Sequence, residues 1–274
     1  MPFVSAFHRR LRQTSGRPAV YGLGMQDWAR AQRVAIVVAH PDDEVIGCGG
    51  LLPSLRDVTI IHTTDGSPLD LDDAVRNGFG TRAAYAAARQ RELQCALALA
   101  GVKPERVICL GFTDKETMHH LPELSRRLAQ VLAELQPDVV LTQPYEGGHP
   151  DHDSTAFAVH RAFGGEVVEM TAYHARDGAL ETGVFLPNGE TPWVNVLSEA
   201  DAVRKQQMLA CFTTQRSILQ NFPVLPEQFR RAPRYDFTLP PHSGKLQYET
   251  LHWGITGERW RQLAAASLQR TLGH

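Results

Sequence analysis

The stretch "VAIVVAHPDDEVIGCGG", residues 34–50, sets His40, Asp42, Asp43 and Glu44 directly after a run of apolar residues. Far downstream, "QPYEGGHPDHD" repeats the His-Pro-Asp pattern with His149, Asp151 and His152. His40 and Asp43 flank a proline that stiffens the turn between them. One imidazole and one carboxylate, joined by a second imidazole from elsewhere, make a tripod for zinc with one position open, the arrangement of catalytic rather than structural zinc. His149 and His152 are both candidates for the third ligand. Asp42 adjoins a ligand but must point elsewhere, so it is placed to take a proton from a water that the metal acidifies to a pKa of about 7. A lone HxxD is more often a turn or helix-capping feature. Two such clusters, each where a strand ends, are harder to read that way. A dinucleotide site is disfavoured, because "GCGG" is not GxGxxG and acids precede it where a pyrophosphate needs bare amides. The glycines instead let the first helix pack close to the sheet.

The elements that must position these residues alternate. "RVAIVVA" (33–39) is continuous, apolar and rich in β-branched residues, as strands buried on both faces are. "DVTIIHT" (57–63), "RVICLGF" (106–112) and "DVVLTQP" (138–144) read as further strands. Helical patterns lie between them in "GGLLPSL", "RAAYAAARQRELQCALALAG" and "LPELSRRLAQVLAELQ", with Gly101 and Pro137 at the stops. The order predicts an α/β sheet, mostly parallel and flanked by helices. In such sheets ligands bind beyond the carboxyl ends of the strands, which places both His/Asp clusters on one edge. Past residue 165 the pattern is irregular. "EVVEMTAYHA" predicts a strand, "GVFLPNGETPWVNVL" a strand pair around an Asn-Gly turn, and "EADAVRKQQMLACF" and "GERWRQLAAASLQRTL" helices, while the Pro-rich 221–245 reads as loop.

The chain of 274 residues suits a single domain, with a core at about 33–170 and an irregular C-terminal extension of short strands and helices over about 171–274. Hydrophobic residues are 43% and charged residues 21%, and the formal net charge of -2 favours neither nucleic acid nor a membrane surface as partner. Cys48, Cys95, Cys109 and Cys211 form no CxxC pair and read as reduced core residues of a cytoplasmic protein. "MPFVSAFHRRLRQTSG" lacks the apolar stretch of a signal peptide, and no apolar run has the length of a membrane span. The oligomeric state is not legible, and a homo-oligomer stays open.

"AHPDDEVIGCGG" together with "GGHPDHDSTA" resembles the PIG-L family, also called LmbE-like zinc-dependent N-deacetylases, over roughly residues 33–170. The resemblance implies a Rossmann-like fold, one zinc ion (for which other divalent metals substitute) and hydrolysis of an N-acetylglucosamine-type amide to a free amino sugar and acetate. It implies His40, Asp43 and His152 as metal ligands and Asp42 as general base. His149, protonated, would stabilise the oxyanion or protonate the leaving amine, and Asp151 would orient His149 or a ligand. Family members often carry Gly-Glu after the second strand, whereas Gly66-Ser67 stands here. Arg89, three residues before Glu92, matches a usual arginine and would grip sugar hydroxyls with its fork of donors. Asp65 would line the pocket or form a turn, and the polar connection 67–81 would set specificity. Glu44 reads as a helix-start charge in preference to a group supporting the site, His62 as core or a supporting group, and His119 and His120 as surface or capping residues. His174 and His242 stay open. "PPHSGKLQYETLHW" would fold back over the pocket, with Tyr248 and His252 more suited to packing than to touching an acceptor sugar.

Other classes weighed against this are a zinc amidase acting on a larger conjugate, a non-catalytic carbohydrate- or metal-binding protein, and a phosphoester hydrolase. Binding alone has no need of a base such as Asp42, and one zinc with little positive charge nearby is a poor clamp for phosphate.

Overall fold

The structure, a computed structural model, describes residues 33–251 and 253–270. The leader reading and His252 lie outside the described residues.

Strand β1 (Val34–Val38) is buried along its whole length, as its unbroken apolar sequence requires. Strands β2 (Val58–Pro68) and β4 (Val139–Thr142) flank it in parallel, with β3 (Val107–Asp114) outside β2 and β5 (Glu166–Met170) outside β4. Helices α1 (Asp43–Cys48), α2 (Asp72–Arg76), α3 (Arg82–Leu99), α4 (Leu121–Leu135) and α5 (Pro150–Ala162) fill the connections. Ile36, Val38 and Ile60 face a cluster with Val45 of α1 and Leu93 and Leu97 of α3. Ala35, Val37 and Ile61 face the opposite cluster, with Leu124, Leu128 and Leu132 of α4 and Val159 of α5. Each fully buried aliphatic side chain there stabilises by about 1.5–3 kcal/mol relative to exposure. The architecture is the predicted one, a mainly parallel Rossmann-like sheet between helices.

The C-terminal extension departs from its pattern in two places. The segment predicted as one strand is two, β5 and β6 (Tyr173–Arg176); β6 pairs only with β7 (Ala179–Thr182). The predicted hairpin around Asn188-Gly189 does not form. Leu186 spends its backbone on Glu146 Oε1 and Arg230 Nη1, and Asn188 Oδ1 accepts from Glu190 N in a local turn. Only β8 (Trp193–Asn195) is a strand, and its partner is β9 (Glu227–Arg231), inside the stretch read as loop. β9 joins β5 antiparallel, closing a seven-stranded sheet of order β3-β2-β1-β4-β5-β9-β8. Helix α6 (Glu199–Cys211) lies on the α1/α3 face, where Met208 joins the core. After α6 come the short helices α7 (Arg216–Leu219) and α8 (Gln247–Thr250), and α9 (Gly257–Arg270) ends the described chain. Tyr248 and Trp260 are buried in a third cluster against Tyr145 and Phe157, so Tyr248 packs. Of the cysteines expected in the core only Cys48 is buried; Cys95 and Cys109 are exposed and Cys211 is intermediate. Among the described residues no helix is long and apolar enough to cross a membrane.

Candidate metal centre

Strand order reverses between β1 and β4, and both His/Asp loops leave the sheet at that switch point. Gln143 Oε1 accepts from Ala39 N at 2.9 Å and ties the two loops together. The downstream loop turns on Gly147, at φ 72°, and passes Gly148, where a Cβ would lie 2.0 Å from the Tyr173 carbonyl oxygen. Pro150 opens α5 with its fixed φ, and His149 caps it, Nδ1 accepting from Asp151 N at 3.1 Å. Upstream, Gly47 lets α1 settle on Met170 of β5, as expected of that glycine.

This brings His40, Asp43 and His152 together, all buried, with one donor atom from each within 4.8 Å of the others. Asp43 stands between the rings, Oδ2 at 3.3 Å from His40 Nδ1 and Oδ1 at 3.3 Å from His152 Nε2. Among the described residues neither His152 nitrogen has a hydrogen-bond partner, although the residue is 2% exposed. Buried imidazoles are ordinarily paired. Orphaned nitrogens facing a carboxylate and a second imidazole fit a divalent cation, so the donor set has the composition of an open metal site. Behind it, His40 Nε2 lies 3.2 Å from both Asp114 Oδ1 and Asp151 Oδ2, the carboxylate backing that orients metal-binding histidines. Asp151 is held in turn by Lys115 N, Thr117 N and Thr117 Oγ1. Its carboxylate therefore touches His40 directly and lies 3.8 Å from His149, which Asp151 meets through its backbone N–H.

Asp42 stands outside the triad but lines the same cavity. Its backbone sits at φ 145°, a region L-residues rarely enter, and strain of this kind is stored where geometry serves function. Arg89 holds the carboxylate, Nη2 donating to Asp42 Oδ2 at 3.1 Å and to Pro41 O at 2.9 Å, while Nη1 donates to Gly66 O at 2.8 Å. A Cβ at Gly66 would lie 2.9 Å from the guanidinium carbon, so the glycine makes room for Arg89. The expected sugar-gripping fork is thus largely committed to the protein, and what it steadies is Asp42. Asp65 stands apart from the cavity, its carboxylate taken by Arg82 Nη2 and Ser67 N. Glu44 does lie in the first turn of α1, and it is also fully buried and supports the loop, accepting from His62 Nε2 at 2.9 Å and from Asp42 N. His119 and His120 are exposed, as expected.

Charge and burial compete here. Burial pushes the Asp42 carboxyl up to about 8, with Asp43 and Glu44 adding to it and Arg89 and His40 opposing. Burial would also raise Asp43, but His152 and His40 hold it well below the usual carboxylate range. Burial disfavours a charged His40, yet Asp114 and Asp151 carry it above its ordinary value. Burial, His40 and His152 push His149 down, with Asp114 and Asp43 opposing, and its Nδ1 accepts from Asp151 N, an arrangement that favours a neutral ring with its proton on Nε2 over the protonated one expected.

These groups line a cavity of about 100 Å³ walled by Tyr85, Tyr173, Phe222 and Trp253. Trp253 lies 4.9 Å from the His149 ring, so the "PPHSGKLQYETLHW" segment does fold back over the site. Asp73, Tyr85, Gln215 and Ile218 are shared with an adjoining cleft of about 450 Å³. Asp114 and Lys115 escaped the sequence reading, although Asp114 ends β3 as His40 follows β1. The strand-end rule would have found it.

Fold and cluster together define a Rossmann-like protein with a buried His/Asp metal-binding site. Residues 35–163 match the family described as PIG-L, GlcNAc-PI de-N-acetylase. A protein of Bacillus anthracis described as probable N-acetyl-alpha-D-glucosaminyl L-malate deacetylase 2 is 36% identical over 138 residues, covering 48% of this chain and 59% of that one. The diacetylchitobiose deacetylase of Thermococcus kodakarensis is 31% identical over 134 residues, covering 46% and 47%. The chain thus spans about half to three fifths of the length of these curated relatives. Among solved structures, the A40926 pseudoaglycone deacetylase Dbv21 superposes with a TM-score of 0.58 at 21% identity, over 75% of this chain and all of that one, a likeness of fold.

Proposed function

We propose that the protein is a zinc-dependent N-deacetylase that hydrolyses the acetamide of an N-acetylglucosamine-type sugar or glycoconjugate. The observation that carries this reading is the division of labour between neighbours. Asp43 meets two histidines in a cation-fitting triad, while Asp42, excluded from it, is held beside the same cavity in a strained backbone by Arg89. The relatives' printed substrates and the aromatic walls of the cavity support the substrate class.

His40, Asp43 and His152 would hold the metal, which supplies Lewis acidity toward the carbonyl oxygen and the attacking water. Asp42 takes the proton from that water. His149, neutral, donates through Nε2–H to the carbonyl oxygen as negative charge develops there. Its capping bond fixes that tautomer without a carboxylate. Asp114 and Asp151 steady His40, and Arg89 steadies Asp42. Tyr173, Phe222 and Trp253 exclude water and offer ring faces to the sugar. The adjoining 450 Å³ cleft leaves room for a group attached beyond the amino sugar, which favours a conjugate over a free monosaccharide.

The test compares adjacent aspartates. Asp42→Asn keeps shape and metal but has no usable basicity, so kcat on an N-acetylglucosaminyl conjugate should fall by roughly 10²–10⁴ with metal content unchanged. Asp43→Asn should fail first in metal content, read by elemental analysis. Near-normal turnover in Asp42→Asn would overturn the base role, and metal loss there with retention in Asp43→Asn would exchange the two assignments.

A further inference from the structure

Cys95 and Cys211 are 116 residues apart in sequence, yet their Sγ atoms lie 2.6 Å apart, one on α3 and the other at the last position of α6. Cys95 is exposed and Cys211 half-buried, so solvent reagents reach the pair. The residues that follow α6 form a wall of the binding region: Gln215, Ile218 and Phe222 line the central cavity, and 213–218 line the adjoining cleft. Helix α3 already grips this wall by polar contacts. Glu92 accepts from Thr213 Oγ1 at 2.5 Å, from Thr214 N at 3.0 Å and from Thr214 Oγ1 at 2.6 Å, and Gln215 Nε2 donates to Tyr85 OH at 2.7 Å. Tyr85, Glu92 and Cys95 recur at helical spacing on one face of α3, so the thiol pair extends the same seam.

We propose that Cys95 and Cys211 are a reversible disulfide site that, when oxidised, pins the 212–222 wall of the binding cleft to α3. The oxidant class is a low-molecular-weight disulfide. The Cys95 thiolate attacks one of its sulfurs, breaking that S–S bond and releasing one thiol. Cys211 then gives its proton to solvent and attacks the Cys95 sulfur, expelling the second thiol. Two protein thiols and one small disulfide become one protein disulfide and two small thiols, and an excess of dithiol reverses the exchange. Burial, with Cys95 and Glu92 adding, pushes the Cys211 thiol up to about 12, which leaves the first attack to Cys95. The bond replaces contacts that water competes for with one it does not. Cleft opening then becomes a function of thiol redox state, a property independent of the reaction assigned to the metal centre.

The full chain is incubated with glutathione disulfide, and intact mass and peptide maps are recorded. The expected product has lost two hydrogens, carries no glutathione adduct and links the peptides of Cys95 and Cys211, with Cys48 and Cys109 still alkylated after denaturation. Amide exchange of residues 212–222 should slow several-fold on oxidation and recover with dithiothreitol. Cys95→Ser and Cys211→Ser should each abolish both changes at unaltered metal content. An adduct that stops at a mixed disulfide, or an oxidised 212–222 segment that exchanges at the reduced rate, would overturn the proposal. None of these readouts needs turnover, so a failed deacetylase assay leaves the test intact.

Discussion

The chain buries two clusters of charge on either side of the loop after β4, and they are built on opposite principles. In the cluster around Arg230, every guanidinium nitrogen donates. Nε bonds Glu169 Oε2 at 2.7 Å, Nη1 bonds Leu186 O at 2.9 Å, and Nη2 bonds Glu146 Oε1 at 3.0 Å and Tyr235 OH at 3.2 Å. Tyr235 OH closes the circuit by donating to Glu169 Oε1 at 2.6 Å, and the Phe185 ring lies against the guanidinium. In the cluster around Asp43, imidazoles and carboxylates crowd together, His152 has no hydrogen-bond partner among the described residues and Asp42 is strained. The first spends every donor of Arg230 internally and ties together β5, β9 and the 183–192 stretch where a hairpin was expected, although Glu146 Oε2 and both nitrogens of the adjacent His174 lack hydrogen-bond partners among the described residues. The second is a set of groups waiting for something the polypeptide does not contain. Buried charge holds a fold together where its pairing is internal, and marks a binding site where it is not.

The contrast breaks most sharply at Arg230. Arg230→Met leaves Glu146 and Glu169 buried without their cation, and should cost about 3–5 kcal/mol in urea unfolding. A loss below about 1 kcal/mol would mean the network is not structural. Metal removal is the matching experiment on the other cluster. Saturating zinc, at about a hundredfold over its Kd, should raise the stability of the chelated protein by about 2.7 kcal/mol. That gain should vanish in His152→Ala and survive in Glu169→Gln. Equal gains in all three would place the metal elsewhere.

A pH titration sharpens the comparison inside the structural cluster. Burial raises Glu169 from 4.5 to about 7, with Arg230 and Tyr235 opposing. Below pH 4.5 the carboxyl is protonated in both folded and unfolded chains and its contribution is fully present. Between 4.5 and 7 the unfolded chain gives up the proton first, so that stability is lost as pH rises. Relative to Glu169→Gln, the parent should therefore lose up to about 1.4 kcal/mol per pH unit across that window and run parallel above it. A rising or flat difference would show that Arg230 keeps Glu169 ionised.

Legibility followed the same division. The parallel half could be read because strands buried on both faces must be continuously apolar, and β1 is. The metal-binding residues could be read because the strand-end rule gathers them without knowledge of distance. The antiparallel edge could not. β9, "EQFRR", carries charge because its side chains serve a network rather than an apolar face, so its composition mimics loop. Arg89 looked like a sugar contact because sequence shows a donor fork but not the carbonyls of Pro41 and Gly66 that occupy it. Cys95 and Cys211 looked unrelated because only the packing of α3 on α6 brings them together.

The cap of α5 has a consequence for how the site is set. His149 Nδ1 is the acceptor for the first turn of that helix, so nucleating the helix and choosing the ring's proton position are one event. Catalytic imidazoles are more often oriented by an acid, which leaves them able to charge. This one is wired to the backbone, and a second proton would have to unfasten a helix end to bind. On the proposed mechanism, the donor that faces the substrate would be specified by folding itself, and fraying the first turn of α5 would disarm it without touching a single metal-binding residue.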